Sequence, residues 1–164
     1  MSTIPIIGFS AYSGTGKTTL IEKLILSLKS KNIRLAVIKH DAHNFDIDHE
    51  GKDSWRFSNA GADIMLISSD TKTAMVEQRK RTFQQNIDMI HDVDLILVEG
   101  YKQENIPKIG ICRKAAKKGL PFSPEDYIAI ATDDDAIKSN TSTPCFALDD
   151  IDGLVQLILE QTKI

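Results

Sequence analysis

The chain has 164 residues, which fits one domain with one hydrophobic core. Its 41% hydrophobic and 26% charged residues exclude a disordered tail, a collagen-like fibre and a disulfide-rich secreted module. With 20 Lys and Arg against 23 Asp and Glu, the net charge is −3, and we expect a cytoplasmic protein, one domain over residues 1–164, that binds neither nucleic acid nor a membrane.

Apolar runs alternate with segments of helical periodicity along the chain. The short apolar runs predict strands at residues 4–10, 33–38, 63–68, 73–78, 94–98, 108–112, 127–131 and 144–148. Apolar residues three and four apart predict helices at residues 18–28 and 82–90 and a final helix from residue 151. A further helix is predicted at residues 52–60, with Gly61 as its stop, and residues 123–126 have the form of a capped helical turn. This order predicts an α/β fold in three layers: a mostly parallel sheet with helices on both faces, and one antiparallel hairpin formed by strands 63–68 and 73–78.

The carboxyl ends of the predicted parallel strands are the expected place for a site, because ligands bind beyond that edge of such a sheet. The loops in question follow Ser10, Lys39, Val98 and Ala131. The two cysteines, Cys112 and Cys145, lie instead in apolar stretches, and we expect buried free thiols there rather than a disulfide.

Residues 11–18 match the phosphate-loop (P-loop) pattern, with Ala11 in place of the first glycine. Gly14 and Gly16 let the backbone curl so that successive N–H groups face a bound phosphate, and the following helix adds its positive end. Lys17 is placed to reach the β- and γ-phosphates, and the Thr18 hydroxyl is placed to hold Mg²⁺. Because the motif lies between a strand and a helix, it predicts a P-loop NTPase fold with nucleotide-binding residues Ser13, Gly14, Thr15, Gly16, Lys17, Thr18 and Thr19.

A second acidic element follows the apolar strand at residues 94–98. The strand ends in Glu99 and Gly100, which is the form of a Walker B strand with Glu in place of Asp. A carboxylate at this point can hold Mg²⁺ through water, together with Thr18, or can orient the attacking water. We interpret Asp94, at the other end of the strand, as a solvated strand start.

The loop at residues 39–54 is dense in functional groups and leaves the carboxyl end of a core strand. It has the position of a switch that responds to the γ-phosphate. Asp41 is the candidate for a second contact to Mg²⁺ or water, and Lys39 and Lys52 are candidates for phosphate or substrate anions. Two alternatives remain for this loop: a solvated surface, or a transition-metal site at His40, His43 and His49.

Asp133 follows a predicted strand at the edge expected for a base pocket. Its carboxylate could accept hydrogen bonds from guanine, which would favour GTP over ATP. The alternative is that Asp133 is the N-cap of a short helical turn at residues 136–138. The residues alone do not show whether GTP or ATP is preferred. Of two basic clusters, residues 79–81 indicate charged surface, and residues 113–118 could meet a phosphorylated ligand or a partner.

Five sequence motifs together resemble the molybdopterin-guanine dinucleotide biosynthesis protein B (MobB) family. The resemblance runs from about residue 4 to the final helix, and the second, third and fifth motifs are more specific than the P-loop. The motifs are Tyr12-Ser13-Gly14-Thr15-Gly16-Lys17-Thr18-Thr19-Leu20, Ile38-Lys39-His40, Gly51-Lys52-Asp53-Ser54, Ala60-Gly61-Ala62 and Leu95-Ile96-Leu97-Val98-Glu99-Gly100-Tyr101-Lys102.

The resemblance implies a dimeric GTP-binding protein with Mg²⁺ and weak GTPase activity. Such a protein assists a separate guanylyltransferase that joins GMP to molybdopterin. Lys17, Asp41 and Glu99 would then serve hydrolysis. The residues facing the γ-phosphate and the pterin would be Lys39, His40, Lys52, Asp53, Gly100 and Lys102. Rival interpretations are a small-molecule kinase, a GTP-dependent metal chaperone and a binding module without turnover.

Overall fold

The computed structural model of the protein describes residues 4–40 and 45–164. The chain divides into two compact units, Met1–His40 with Ile90–Ile164, and Asp41–Met89. The prediction of a single domain over residues 1–164 stays a prediction. In the part of the chain that the structure describes, none of the helices combines the length and the apolar character that crossing a bilayer requires.

The described residues form a succession of short strands and helices close to that predicted. The strands are β1 (Ile6–Ser10), β2 (Leu35–Lys39), β3 (Ile64–Ser68), β4 (Thr73–Glu77), β5 (Leu95–Glu99), β6 (Lys108–Cys112), β7 (Ala129–Thr132) and β8 (Cys145–Phe146). The helices are α1 (Lys17–Ser30), α2 (Asp53–Asn59), α3 (Phe83–Ile87), α4 (Asp135–Ser139) and α5 (Ile151–Thr162), and two 3₁₀ turns cover Lys114–Ala116 and Pro124–Asp126.

The first unit is built on a six-stranded sheet in the order β2-β5-β1-β6-β7-β8, with every neighbouring pair parallel. The chain moves towards β2 after β1 and towards β8 after β7. Because such crossovers are right-handed, α1 and α4 are expected on opposite faces of the sheet. Helices α1 and α5 pack together over the sheet, and Leu24 and Leu28 of α1 are fully buried with Leu154 and Ile158 of α5. The predicted α/β fold with a mostly parallel sheet is confirmed.

The second unit contains α2, the hairpin of β3 and β4, and α3. The hairpin is antiparallel, as predicted, with Leu66 opposite Met75. Glu77, at the end of β4, lies beside the basic cluster at residues 79–81: Arg79 Nη2 is 2.5 Å from its carboxylate, and Arg81 Nε also donates to it. The two guanidinium groups hold the pKa of the Glu77 carboxyl below its usual value. Part of the predicted charged surface is therefore engaged within its own unit.

Several predicted elements are shorter in the structure, and three of them differ most clearly at one end. The strand predicted at 127–131 begins at Ala129, because Tyr127 still belongs to the end of the capped 3₁₀ turn at Pro124–Asp126. The strand predicted at 144–148 pairs with β7 only over Cys145–Phe146. The helix predicted at 82–90 ends at Ile87 and begins with a capping box between Thr82 and Gln85.

Asp94 is more than a solvated strand start. Its carboxylate accepts two hydrogen bonds from the Arg34 guanidinium, at 2.7 and 3.2 Å, and one from the Arg34 backbone N–H at 2.8 Å. These bonds lower the pKa of the Asp94 carboxyl to about 2. The pair joins the residue before β2 to the start of β5.

Candidate functional site

The P-loop connects β1 to α1 and carries the two glycines at left-handed backbone positions. Gly14 has φ 83° and Gly16 has φ 87°, a region that residues with a Cβ rarely occupy. The Thr15 hydroxyl donates to the Tyr12 carbonyl at 2.9 Å and closes the turn. Gly16 is the N-cap of α1, and none of the described side chains caps that terminus. The positive end of the helix is left available for an anion, as the sequence predicts.

Lys17 and Glu99 form an ion pair at the carboxyl edge of the sheet. Lys17 Nζ lies 3.2 Å from Glu99 Oε1, and both side chains are largely buried, with 18% and 15% exposure. The parallel register of β1 and β5 accounts for this, because it pairs Phe9 with Glu99 and so ends both strands at the same level. The structure thus brings together the candidate phosphate lysine and the candidate water-orienting carboxylate. Thr18 and Thr19 are exposed on the first turn of α1.

The turn after β5 lies against the end of β2. The His40 backbone N–H donates to the Glu99 carbonyl at 2.8 Å, and the His40 ring stacks on Tyr101 with centroids 4.2 Å apart. A Cβ on Gly100, which has φ 93°, would lie 2.7 Å from the His40 carbonyl oxygen. Lys39, paired with Glu99 in the strand register, has an exposed side chain. His40 and Gly100 are therefore brought together with Glu99, as the candidate site requires.

Lys102 continues this turn towards the P-loop. Its ammonium lies 5.4 Å from the centre of the Tyr12 ring, within the range of a cation–π contact. Tyr12 itself is 39% exposed. Lys102 therefore contributes positive charge next to the P-loop.

Residues 113–119, between β6 and β7, bind the P-loop directly. Arg113 Nε donates to the Thr15 carbonyl at 3.2 Å, and Lys118 Nζ donates to the Ser13 carbonyl at 3.1 Å. The sequence singled out this basic cluster but not its contact with the P-loop. The signal that pointed to it is its place directly after a strand that neighbours β1.

The structure excludes one of the two interpretations of Asp133, the N-cap of a short helix. The cap of the short helix α4 is Asp134, whose carboxylate accepts from the Ala136 backbone N–H at 3.1 Å. The N-cap interpretation of Asp133 is therefore wrong. Asp133 Oδ1 instead accepts from the Lys114 backbone N–H at 2.7 Å. This bond ties the carboxyl end of β7 to residues 113–119.

The remaining candidates lie in the second unit or outside the described residues. Lys52 is the N-cap of α2 and has an exposed side chain, and Asp53 begins that helix and pairs with Arg56 at 3.5 Å. Asp41 and His43 lie outside the described residues. Within residues 4–40 and 45–164, His, Cys, Asp and Glu side chains nowhere form a group of three or more that could hold a metal ion.

Comparison with known proteins agrees with this geometry. The sequence profile of the family described as molybdopterin guanine dinucleotide synthesis protein B, MobB, matches residues 6–133. This chain belongs to the MobB family. Membership assigns it to the biosynthesis of molybdopterin guanine dinucleotide, in agreement with the resemblance seen in the sequence motifs.

Individual MobB relatives extend the match over nearly the whole chain. A molybdopterin-guanine dinucleotide biosynthesis adapter protein of Haemophilus influenzae is 46% identical over 133 residues, which is 79% of this chain and 75% of the relative. The adapter protein of Escherichia coli K12 is 34% identical over 169 residues, or 96% and 93% of the two chains. The crystal structure of Bacillus subtilis MobB has a TM-score of 0.79 at 26% identity and covers 96% of this chain and 97% of its own. The predicted P-loop NTPase fold is confirmed.

Proposed function

We propose that the protein is a GTP-binding adapter with slow GTPase activity, which assists a partner guanylyltransferase in joining GMP to molybdopterin. The single observation that carries the proposal is the Lys17–Glu99 pair beside an open P-loop in a chain of the MobB family. The loop supplies backbone N–H groups for the phosphate chain, and Lys17 supplies a compact positive charge. The Haemophilus influenzae and Escherichia coli relatives carry the word adapter in their names, which supports a role alongside another protein.

The donor atoms at the loop suit Mg²⁺. Thr18 offers a hydroxyl from the first turn of α1, and Glu99 offers a carboxylate from the end of β5. Both are hard oxygen donors of the kind that Mg²⁺ prefers, while most of its other positions are taken by phosphate oxygens and water. When bound with the nucleotide, Mg²⁺ supplies positive charge to the phosphate oxygens. Thr18 and Glu99 would hold it, and Asp41, outside the described residues, remains a candidate for a further contact.

Hydrolysis places distinct demands on the residues of this site. A bond forms between a water oxygen and the γ-phosphorus, and the bond from the γ-phosphorus to its bridging oxygen breaks, leaving GDP and phosphate. Lys17 stabilises the charge that develops on the phosphate oxygens, and Glu99 orients the water. Glu99 becomes available for this once Lys17 turns from its carboxylate to the phosphates. The turn of Gly100 and Lys102, with His40 and Lys39 beside it, would lie nearest to the γ-phosphate.

The choice of GTP rests on Asp133. Its backbone follows β7 at the carboxyl edge of the sheet, which is where the base of a nucleotide on this fold is read. One carboxylate oxygen accepts from the Lys114 N–H, which fixes the orientation of the group. The other oxygen is our candidate acceptor for the N–H donors of guanine, which adenine lacks in that arrangement.

We also propose a homodimer that uses the hairpin of the second unit. Residues two apart share a face of a strand, and Leu66 pairs with Met75, so Ile64, Leu66 and Met75 form one apolar surface. Their side chains are 50%, 58% and 41% exposed. Apolar side chains grouped on one exposed face are typical of an interaction surface. Sedimentation equilibrium should show a dimer for the wild type and a monomer for Leu66→Glu.

The first test is calorimetric titration with GTP and then ATP, each with Mg²⁺. We expect GTP-selective binding by the wild type, loss of binding in Lys17→Ala, and unchanged binding in Lys23→Ala, which removes an exposed lysine from the same helix. Adding a molybdopterin-loaded guanylyltransferase should then give a complex. ATP-selective binding without a complex would contradict the proposal, and transfer of phosphate to an acceptor alcohol would favour a kinase.

A further inference from the structure

The two long side chains that reach the P-loop both donate hydrogen bonds to carbonyl groups that precede a glycine. Arg113 donates to Thr15 and Lys118 to Ser13, and these residues immediately precede Gly16 and Gly14. Those are the two P-loop residues with a positive φ. The contacts therefore fall on the peptide units Ser13–Gly14 and Thr15–Gly16, whose orientation glycine leaves freest.

Fixing a peptide carbonyl also fixes the N–H of the same peptide. In a planar trans peptide the C=O and N–H bonds point in opposite directions. The described residues contain no cis peptide bond. A side chain that holds the Thr15 carbonyl on one side therefore directs the Gly16 N–H to the other side, and Lys118 has the same effect on the Gly14 N–H. In loops of this kind, successive N–H groups that point to one side form the concavity in which an anion binds.

Two further contacts keep this arrangement in place. The Thr15 hydroxyl holds the Tyr12 carbonyl at 2.9 Å, which orients the N–H of Ser13 in the same manner. A Cβ placed on Gly16 would lie 3.1 Å from Arg113 Nη2, so the guanidinium also fills the space beside that glycine. At the other end, the Lys114 N–H to Asp133 bond of 2.7 Å anchors the segment that carries Arg113.

We propose that Arg113, assisted by Lys118, is a positioning residue that holds the N–H groups of Gly16 and Gly14 in their anion-binding orientation before a nucleotide arrives. This inference rests on the proposed nucleotide-binding function and adds a determinant of affinity that lies outside the P-loop. Binding is stronger when donors are already oriented, because the ligand does not have to order them. Arg113 acts through the backbone and touches the back of the loop rather than the phosphate chain.

Titration calorimetry with GDP and with inorganic tripolyphosphate, which has no base, tests the effect on affinity. Arg113→Ala should weaken both ligands about tenfold, which corresponds to about 1.4 kcal/mol. Arg113→Lys should recover most of the loss, since an ammonium can still donate to the Thr15 carbonyl. Lys117→Ala is the matched control: it removes an equal charge from the same segment, where the Lys117 side chain is exposed, and should bind like the wild type.

Nuclear magnetic resonance of the nucleotide-free protein tests the orientation itself. The sequence has nine glycines, but only Gly14 follows a serine and only Gly16 follows a threonine. Labelling glycine with ¹⁵N and either serine or threonine with carbonyl ¹³C therefore selects one amide at a time. Arg113→Ala should shift the Gly16 signal and Lys118→Ala the Gly14 signal, while the Gly153 signal in α5 stays in place.

The outcomes separate this inference from the proposed function. If the wild type binds neither nucleotide nor tripolyphosphate, the proposed function fails. The Gly14 and Gly16 signals then still show whether Arg113 and Lys118 orient the two N–H groups. If Arg113→Ala binds like the wild type with an unmoved Gly16 signal, the inference is overturned. Weakened binding with an unmoved signal also overturns it, because Arg113 would then contact the phosphates directly. Should Arg113→Ala not fold, Lys118→Ala replaces it: weaker binding of tripolyphosphate with a shifted Gly14 signal supports the inference, and an unmoved Gly14 signal overturns it.

Discussion

Lys17 Nζ lies 3.2 Å from Glu99 Oε1, so one ion pair joins the first residue of α1 to the last residue of β5. The same ammonium is the group that a P-loop uses for the β- and γ-phosphates. A nucleotide bound as we propose would therefore compete with Glu99 for Lys17. It would have to open the pair, which would release a carboxylate beside the phosphate chain.

Replacement of Glu99 should affect GTP binding and GTP hydrolysis in opposite directions. In Glu99→Gln the competitor for Lys17 loses its charge, so we expect GTP without Mg²⁺ to bind at least as tightly as in the wild type. Hydrolysis should fall about a hundredfold or more, as is typical when the residue that orients the attacking water is removed. Calorimetry and single-turnover phosphate release measure the two effects. Glu22→Gln, exposed on α1, is the control, and a variant with normal hydrolysis would exclude Glu99 from the reaction.

Gly100→Ala tests the close approach of the turn after β5 to His40. The added Cβ would lie 2.7 Å from the His40 carbonyl oxygen, at a backbone φ of 93°. We expect a loss of about 2–4 kcal/mol in the free energy of unfolding, because strain from the dihedral adds to the clash. Gly61→Ala has φ 108°, and no described residue lies within 4 Å of its added Cβ, so it reports the dihedral alone. Equal losses in urea unfolding would show that the contact with His40 is unimportant.

The Arg34–Asp94 pair predicts a stability difference that depends on pH. The pKa of the Asp94 carboxyl falls from its ordinary 3.8 to about 2, so the pair stabilises the folded state above pH 4 and loses this effect as the pH falls towards 2. Asp94→Asn should therefore be less stable than the wild type at pH 7, with the difference shrinking between pH 4 and pH 2. Urea unfolding at several pH values measures it. In an Arg34→Ala background only the bond from the backbone N–H of residue 34 remains, so the substitution should have a smaller effect; a full effect there would assign the pKa shift to another group.

The two cysteines should react slowly with thiol reagents in the native protein. Both thiols are free, as predicted; Cys112 is buried, but Cys145 is only partly buried, which corrects the expectation of two buried thiols. Burial raises the pKa of each, so little thiolate forms at neutral pH. A disulfide exchange assay should show Cys145 reacting before Cys112 and both reacting at once in urea. Rapid native reaction of Cys112 in a Cys145→Ser variant would contradict the packing of β6.

The P-loop, its flanking strand and helix, and Glu99 follow from sequence because their signals are local. A short apolar run, two spaced glycines and an amphipathic segment need no knowledge of the rest of the chain. The order of the parallel strands then brings Glu99 to Lys17. The start of β7 at Ala129 does not follow from the sequence, because Tyr127 is apolar enough to belong to a strand. In the structure the Tyr127 hydroxyl accepts from the Phe122 backbone N–H and donates to the Ser10 hydroxyl.

The contacts of Arg113 and Lys118 could not be read from the sequence. They join residues 98 and 105 positions apart, and a basic cluster has the same composition whether it faces solvent, a ligand or a backbone carbonyl. Likewise, adjacent aspartates compete for one capping position, and only the backbone geometry shows that Asp134 takes it while Asp133 holds Lys114.

The uncapped start of α1 would let a nucleotide, bound as we propose, stabilise the fold. Asp150 caps α5 and Asp134 caps α4 through their carboxylates. Helix α1 follows its N-cap Gly16 with none of the described side chains on its first N–H groups and no acidic residue in its first turn. A phosphate chain would complete that helix end in the way a capping side chain does elsewhere. The melting temperature of this protein should therefore rise with nucleotide concentration, and the first turn of α1 should be the segment whose amide hydrogens gain the most protection from exchange.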